Sequence, residues 1–240
     1  MGLYWLVRLV AHLLLVRLVP DAESVLRSAR AAATETARVR VRLDILTALL
    51  VFIEDRSFFR HRGVSPRAVI RAIVSRLGLK RRSGGSAITQ QLVRTLFIVD
   101  LRKLYRRKIV EMLLALWLER VSSKREILAL YLSCVRFEEG VIGVTAAMKH
   151  YFGTIVPAPS PAEAFFLVER VSNARSAVLS AKIDHTLRQA VSAGLMGRQD
   201  ARELIRIYQR MVAEGKARPD DPQSFQRLLS NWDDLSTRRD

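Results

Sequence analysis

The sequence contains little cysteine, little negative charge and no long uninterrupted apolar run. Cys134 is the only cysteine among 240 residues, so the chain cannot form an intramolecular disulfide. No repeated spacing of Cys or His indicates a structural metal site. Half of the residues are apolar, which is enough for a substantial core and argues against disorder. We expect one ordinary folded domain, with room for a terminal extension.

Acidic residues are scarce overall and nearly absent from one stretch. Lys and Arg total 40 against 23 Asp and Glu, a net charge of +17. Residues 56–108 hold fifteen Lys or Arg and a single acidic residue, Asp100. Such a field favours an anionic partner, namely phosphate, nucleic acid or an acidic lipid surface, although a solvated basic face explains it equally well. Charge alone does not decide among these.

The N-terminal segment falls short of a clean membrane span. Residues 3–19 are apolar except for Arg8, His12 and Arg17, whereas a spanning helix needs roughly 20 apolar residues. A helix lying in the membrane interface, with its basic side chains reaching water, suits this pattern as well as a span does. We predict that residues 1–20 form an anchor or an interfacial helix rather than a cleaved signal peptide.

The periodicity of apolar residues predicts a mainly α fold. Helices are expected over 21–39, 42–53, about 66–77, 88–97 and 101–121, and residues 78–86 read as a mobile cationic loop rich in glycine. Two capping boxes, Ser123 with Glu126 and Ser160 with Glu163, predict further helix starts. No strand pair or β-hairpin is indicated anywhere.

The first cluster of chemically competent residues is 54–63, EDRSFFRHRG. It places two carboxylates, Glu54 and Asp55, at the end of an apolar helix. Apolar surroundings raise the pKa of a carboxyl group and neighbouring arginines lower it, so Glu54 could serve as a base near neutral pH. The alternative is a helix-terminal cluster of salt bridges.

The second cluster is 84–94, GGSAITQQLVR. Its glycines leave backbone amides accessible at a helix start, and its polar side chains suit sugar hydroxyls and phosphate oxygens. Taken alone, it is equally consistent with a glycine-rich loop followed by a polar helix cap. Its candidate binding residues are Gly84, Gly85, Ser86, Thr89, Gln90, Gln91 and Arg94.

The third cluster joins two cations to one carboxylate. Arg107 and Lys108 precede Glu111 by four and three residues, which puts all three on one helical face. A pair of cations beside a carboxylate can bind a pyrophosphate. An exposed helical ion pair would show the same spacing.

In their order and spacing the three clusters resemble glycosyltransferase family 51, the peptidoglycan polymerases found alone or fused to penicillin-binding transpeptidase domains. The resemblance runs from about residue 43 to 173, and its EDRxFFxHxG and GGSxxTQQL strings are highly specific. It also includes KREILALYL at 124–132, YFG at 151–153 and SPAEA at 160–164.

This resemblance implies a lysozyme-like helical domain with a small membrane-proximal jaw lobe that takes up the lipid chains of the substrate. We expect the glycosyltransferase domain over 21–180, a flap at 78–86 and a C-terminal helical extension over 181–240. Fewer than seventy residues follow Asn173, so the resemblance implies a monofunctional polymerase without a transpeptidase.

The resemblance also implies a role for each candidate residue. Glu54 would be the general base that takes a proton from the acceptor 4-hydroxyl, with inversion at the donor's anomeric carbon. Glu111 would assist departure of the lipid pyrophosphate, directly or through a divalent cation. Three cations, Arg94, Arg107 and Lys108, would neutralise its charge, while Asp55, Phe58, His61, Gln90 and Gln91 would shape the site.

The partners implied are a lipid-linked peptidoglycan precursor, the growing glycan strand, the membrane and other cell-wall synthesis proteins, but not nucleic acid. The expected location is the inner membrane, with the catalytic domain on its outer, periplasmic face. No cofactor is fixed by the resemblance, which leaves Mg²⁺ or Mn²⁺ at the pyrophosphate as a candidate.

The sequence departs from the family pattern at several positions. Ala87 and Thr95 stand where the family usually has Thr and Asn, and Arg94 replaces Lys, which keeps the charge but not the shape. Ser133 replaces Asn, and Glu138 occupies a turn position where Gly is usual.

These changes leave open a weakened relative that only captures precursor or scaffolds other enzymes. Two further alternatives are a lysozyme-like hydrolase, which would leave the cations idle, and a nucleic-acid or acidic-lipid binder, which would leave the motifs unexplained.

Overall fold

A computed structural model describes residues 21–64, 87–97, 104–172 and 177–233, with the backbone alone for 104–107, 172 and 233. Most of these residues are helical, which confirms the mainly α prediction. The predictions for residues 1–20, 66–77 and 78–86 lie outside the described residues. The helices in chain order are α1 Ala22–Arg38, α2 Asp44–Glu54, α3 Ile88–Phe97, α4 Leu104–Val121, α5 Lys124–Cys134, α6 Val144–Phe152, α7 Pro161–Ser172, α8 Ser180–Ser192, α9 Arg198–Ala213 and α10 Pro222–Asp233.

The chain divides into two compact units. The first contains the described residues of Met1–Arg38 and Glu54–Val135, and the second those of Val39–Ile53 and Arg136–Asp240. Helix α2 therefore lies in the second unit except for its last residue, Glu54, which belongs to the first. The predicted boundaries at residues 20 and 180 stay predictions.

The first unit is built from α1, α3, α4 and α5, with a short 3₁₀ turn at Phe58–Arg60. Helix α3 packs against all three of the others because its apolar residues recur at three- and four-residue intervals. The fully or nearly fully buried side chains include Leu26, Ala29, Ile88, Leu92, Val93, Leu114, Leu118, Ile127, Leu130 and Tyr131.

The start of α5 is fixed by the predicted capping box. The Glu126 amide donates to Ser123 Oγ at 3.2 Å, and the Ser123 amide donates to Glu126 Oε2 at 3.4 Å. Arg30 of α1 then donates to Glu126 Oε1 at 2.7 Å and to the Val121 carbonyl at 3.0 Å. The junction between α4 and α5 is thereby attached to α1.

The second unit surrounds α7, whose start carries the other predicted capping box. The Glu163 amide donates to Ser160 Oγ at 3.2 Å, and the Ser160 amide to Glu163 Oε2 at 2.9 Å. Arg170 on this helix is fully buried; it pairs with Glu169 and donates to the Ala177 carbonyl at 3.0 Å. The apolar core of the unit includes Leu46, Leu49, Phe165, Phe166, Leu187, Leu204, Ile205 and Met211.

The expectation that no strands pair was wrong. Strands β1 Arg136–Glu138 and β2 Val141–Ile142 form an antiparallel hairpin, and β3 Ala177–Val178 pairs in parallel with β4 Arg218–Pro219. Strands of two or three residues are too short to show an alternating apolar pattern. The hairpin turn uses Gly140 at φ +78°, a conformation that glycine adopts readily.

Across the part of the chain that the structure describes, no helix has both the length and the apolar character required to cross a membrane.

Candidate functional site

Glu54 lies at the C-terminal end of α2 and is partly exposed. Gln91 of α3 donates from Nε2 to Glu54 Oε2 at 2.7 Å. The Tyr131 hydroxyl of α5 in turn donates to Gln91 Oε1 at 2.6 Å. A continuous chain of hydrogen bonds therefore runs from a buried phenol through a neutral amide to the carboxylate.

Tyr131 is a hydrogen-bond donor throughout the working pH range. Its side chain is fully buried. Burial, together with the negative charge of Glu54, raises the pKa of Tyr131 well above its usual value of 10, against a smaller opposing effect of Arg94. The phenol therefore stays protonated, and the amide oxygen of Gln91 faces it.

Asp55, the neighbour of Glu54, is buried, and both of its carboxylate oxygens have hydrogen-bond partners. His61 Nε2 lies 2.8 Å from Asp55 Oδ2, and Ser57 Oγ donates to Oδ1 at 3.1 Å. The Ile88 amide donates to Oδ2 at 3.3 Å, so this carboxylate satisfies a backbone group at the start of α3. Asp55 thus joins the end of α2 to the beginning of α3.

The Asp55 carboxyl group remains ionised because its contacts outweigh its burial. Burial raises its pKa, but the hydrogen bonds and charge of His61, the Ser57 hydroxyl and the Ile88 amide bring the pKa below its usual 3.8. The other ring nitrogen of His61, Nδ1, is buried and has no hydrogen-bond partner among the described residues.

Glu111 of α4 is fully buried and held by two cations. Arg94 donates from Nε to Oε1 at 2.8 Å and from Nη2 to Oε2 at 3.2 Å, and Lys108 donates from Nζ to Oε2 at 2.8 Å. Burial raises the Glu111 pKa, but these bonds and charges lower it below 4.5 overall. The Arg94 and Lys108 side chains are 35% and 46% exposed, so both cations that bind the buried Glu111 carboxylate remain accessible to solvent.

Helix α3 brings the two glutamates together. Gln91, which binds Glu54, and Arg94, which binds Glu111, lie three residues apart and so on one face of the helix. Both carboxylates therefore contact neighbouring side chains of the same rigid element.

Other predicted residues support this arrangement from inside the unit. The Thr89 hydroxyl is buried and donates to Glu119 Oε1 at 2.6 Å, and Lys124 donates to the same oxygen at 2.6 Å. Lys124 also lies over the buried Phe58 ring, 4.1 Å from its centroid. Gln90 accepts from the Ala87 amide at 3.2 Å.

The close approach of Gly63 to α4 explains why the first motif ends in glycine. At φ +79° a Cβ on Gly63 would lie 2.7 Å from the Ala115 carbonyl oxygen, closer than any real contact. The last residue of the motif therefore lies directly against the helix that carries Glu111.

The structure places the predicted residues of the first unit as follows. Described side chains with contacts are those of Glu54, Asp55, Phe58, His61, Thr89, Gln90, Gln91, Arg94, Lys108 and Glu111. Arg107 lies in α4, but its side chain is outside the described set, as are Gly84, Gly85 and Ser86 entirely. Sequence reasoning gave no separate role to Tyr131, Glu119 and Lys124.

The donor set at Glu111 does not fit a resident divalent cation. Both carboxylate oxygens already accept hydrogen bonds from cationic side chains, whereas Mg²⁺ or Mn²⁺ requires several oxygen ligands. Among the described residues, no group of three or more His, Cys, Asp or Glu side chains could hold a metal ion. A divalent cation that arrives bound to the pyrophosphate stays a prediction.

The positions that depart from the family pattern are accommodated without loss of the contacts above. Ala87 is buried, and Ser133 donates to the Ala129 carbonyl at 2.8 Å within its own helix. Glu138, expected in a turn, ends β1 and accepts from the Tyr151 hydroxyl at 2.9 Å; His150 Nε2 lies 3.1 Å from the same oxygen.

Comparison with known proteins matches residues 23–196 to a family model described as transglycosylase. The chain is similar to the biosynthetic peptidoglycan transglycosylase of Nitrosomonas eutropha, at 36% identity over 54% of this chain and 53% of that protein. It is also similar to penicillin-binding protein 1A of Aquifex aeolicus, at 37% identity over 56% of this chain and 20% of that protein. A further similar protein is the monofunctional glycosyltransferase of Staphylococcus haemolyticus, at 30% identity over 59% of this chain and 50% of that protein. The chain spans about half the length, or less, of these relatives.

Proposed function

This chain belongs to the transglycosylase family, and we propose that it is a peptidoglycan glycosyltransferase. It would polymerise a lipid-linked disaccharide-peptide precursor into glycan strands, with inversion at the anomeric carbon and release of undecaprenyl pyrophosphate. Relatives named peptidoglycan transglycosylase and monofunctional glycosyltransferase support this assignment.

Glu54 acts as the general base in this proposal. It removes the proton from the acceptor sugar's 4-hydroxyl while that oxygen bonds to the donor's anomeric carbon. A hydrogen bond supports the role, because the Gln91 amide donates to the carboxylate and orients it. A fixed orientation places the carboxylate for proton removal from the acceptor hydroxyl.

Arg94 and Lys108 receive the leaving group. As the bond between the anomeric carbon and the pyrophosphate oxygen breaks, its electron pair passes to that oxygen, and nearby cations stabilise the developing charge. Glu111 fixes the geometry of both cations from a buried position. Arg107 belongs to this group by sequence, and Asp55, Phe58, His61, Thr89 and Gln90 shape the site around it.

One observation carries the proposal. Neighbouring positions on one face of α3 bind two carboxylates, the partly exposed Glu54 and the buried Glu111, which organises two cations. Glycosyl transfer to a hydroxyl with a pyrophosphate leaving group requires a proton acceptor and positive charge within one site. Hydrolysis of finished glycan would have no use for the cations.

The test is a polymerisation assay with the full chain in detergent and lipid-linked disaccharide-peptide precursor. We expect polymer from the wild type, and a loss of roughly 10²- to 10⁴-fold in kcat for Glu54→Gln, because a neutral amide cannot accept the proton. Glu111→Gln should also lose activity, since it releases the two cations from fixed positions.

Glu138→Gln is the matched control, because Glu138 is another partly buried carboxylate that accepts hydrogen bonds, located in the other unit. It should retain wild-type turnover. Full activity in Glu54→Gln would remove Glu54 as the base. Precursor binding without turnover in the wild type would favour a capture or scaffold role, and degradation of finished strands would favour a hydrolase.

We further propose that the protein works at the outer, periplasmic face of the inner membrane, where it would meet the flipped precursor and the growing strand. Partner proteins of cell-wall synthesis are proposed on the same ground. The concentration of basic residues in 56–108 supports contact with an anionic lipid surface.

A further inference from the structure

Tyr131 is a buried polar residue that the mechanism above does not use. It lies in α5, is fully buried, and has its hydroxyl 2.6 Å from Gln91 Oε1. A buried hydroxyl requires a hydrogen-bond partner, but an acceptor far from Glu54 would satisfy it equally well. Its actual partner is the residue that holds Glu54.

The direction of this hydrogen-bond chain is fixed. A carboxylate only accepts hydrogen bonds, so Gln91 must direct its NH₂ group at Glu54 and its carbonyl oxygen at Tyr131. A phenol that stays protonated can meet that oxygen only as a donor. With the Gln91 amide reversed, its carbonyl oxygen would face the Glu54 carboxylate and repel it. Its NH₂ group would face the phenol hydroxyl of Tyr131.

Tyr131 has no exposed surface through which to reach a substrate. Any influence on the reaction must therefore be indirect, and the Tyr131 hydroxyl is linked to Glu54 through Gln91. The two residues are 40 positions apart and belong to different helices, α3 and α5, so this contact also couples the packing of the unit to the orientation of the base.

We propose that Tyr131 is a positioning residue for the general base, acting by locking the Gln91 amide in the orientation that aims Glu54 at the acceptor hydroxyl. This inference rests on the proposed function. It assigns to Tyr131 an effect on turnover and on its pH dependence, and none on recognition of the precursor.

Tyr131→Phe removes only the hydroxyl. We expect kcat for polymerisation to fall about 10- to 100-fold, because small displacements of a catalytic group are costly, while KM for the precursor stays within about twofold. Part of the Gln91 population can then rotate away from Glu54, so the acid limb of the pH profile of kcat should move to higher pH.

Tyr151→Phe is the matched control. Tyr151 is a buried tyrosine of the other unit whose hydroxyl donates to a carboxylate, Glu138, at 2.9 Å. Both substitutions remove one buried hydroxyl and should lower the melting temperature similarly. Only Tyr131→Phe should change kcat and its pH profile.

A double-mutant cycle decides whether Tyr131 acts through Gln91. Gln91→Met removes the amide, and the double variant Tyr131→Phe/Gln91→Met should be no slower than Gln91→Met alone. Losses that multiply would show an independent, packing role and overturn the inference, as would wild-type kcat in Tyr131→Phe. If the wild type itself makes no polymer, the proposed function fails and this inference falls with it, whereas the other two outcomes leave the proposed function standing.

Discussion

The two glutamates of the site differ in what holds them. Glu54 is partly exposed and receives a hydrogen bond from a neutral amide, whereas Glu111 is fully buried between a guanidinium and an ammonium group. Cations favour the ionised form of a carboxylate and make it a poor proton acceptor. The buried Glu111 therefore organises positive charge, and the partly exposed Glu54 is the one proposed for proton removal.

A single turn of α3 contributes to both environments. Gln91 and Arg94 differ in charge and share a face of the helix, and each binds one of the two carboxylates. This makes the contrast between Glu54 and Glu111 open to direct manipulation by single substitutions.

Arg94→Gln removes one of the cations that bind Glu111. It should lower kcat for polymerisation more than the other proposed substitutions on α3. The Glu111 carboxylate loses one of the two cations that bind it among the described side chains, and the leaving pyrophosphate loses a charged donor. We expect a fall in kcat of about 10²- to 10³-fold, the usual cost of removing one donor from a developing negative charge.

Arg30→Gln is a suitable control for Arg94→Gln. Arg30 is likewise a partly exposed arginine of the first unit that donates from Nε to a glutamate, Glu126, at 2.7 Å. Turnover should be close to wild type in this variant. If Arg94→Gln were also fully active with an intact fold, Arg94 would have no part in leaving-group departure.

Gln91→Lys replaces the neutral amide that contacts Glu54 with a cation. A lysine at this position would pair with Glu54, hold it ionised and weaken it as a base. Polymerisation should fall by about 100-fold in kcat, with binding of precursor preserved, as measured by initial rates and a separate binding titration.

Gln189→Lys introduces the same change at another helical glutamine that bonds to a side chain one turn away, His185, and serves as the control. Unchanged polymerisation by Gln91→Lys would mean that a neutral side chain at position 91 is not needed for the reaction.

Local features of this site were readable from the sequence. Both capping boxes form as predicted, the helix expected over 88–97 is α3, and the three-residue spacing of Lys108 and Glu111 gives the ion pair. Each depends on residues within one or two turns of one another, where geometry follows from the helical repeat.

The contacts between distant residues were not readable in the same way. Gln91 lies 37 positions from Glu54 and 40 from Tyr131, and Thr89 lies 30 from Glu119. No periodicity links such pairs, because they depend on how helices pack. Only the resemblance grouped Glu54 with Gln91, and nothing in the pattern singled out Tyr131.

The smallest predicted effect is on stability in acid, and it tests whether the cations around Glu111 hold that carboxylate ionised. The Glu111 pKa is lower in the folded state than its ordinary 4.5, so its ion pairs stabilise the fold fully above that pH. That contribution is lost as the pH falls through the folded-state pKa. We expect the wild type to exceed Glu111→Gln in free energy of unfolding by about 1.5 kcal/mol at neutral pH, the scale of hydrogen bonds to a charged group.

Urea unfolding followed by circular dichroism from neutral to acidic pH should show this difference shrinking once the pH drops below about 4.5. Asp55, whose pKa is also lowered, is present in both proteins and cancels from the comparison. Glu139→Gln, a change at an exposed glutamate, should leave the difference from wild type near zero at every pH. A difference between wild type and Glu111→Gln that stayed constant or grew on acidification would show that the cations do not hold Glu111 ionised, and the contrast between the two carboxylates would lose its electrostatic basis.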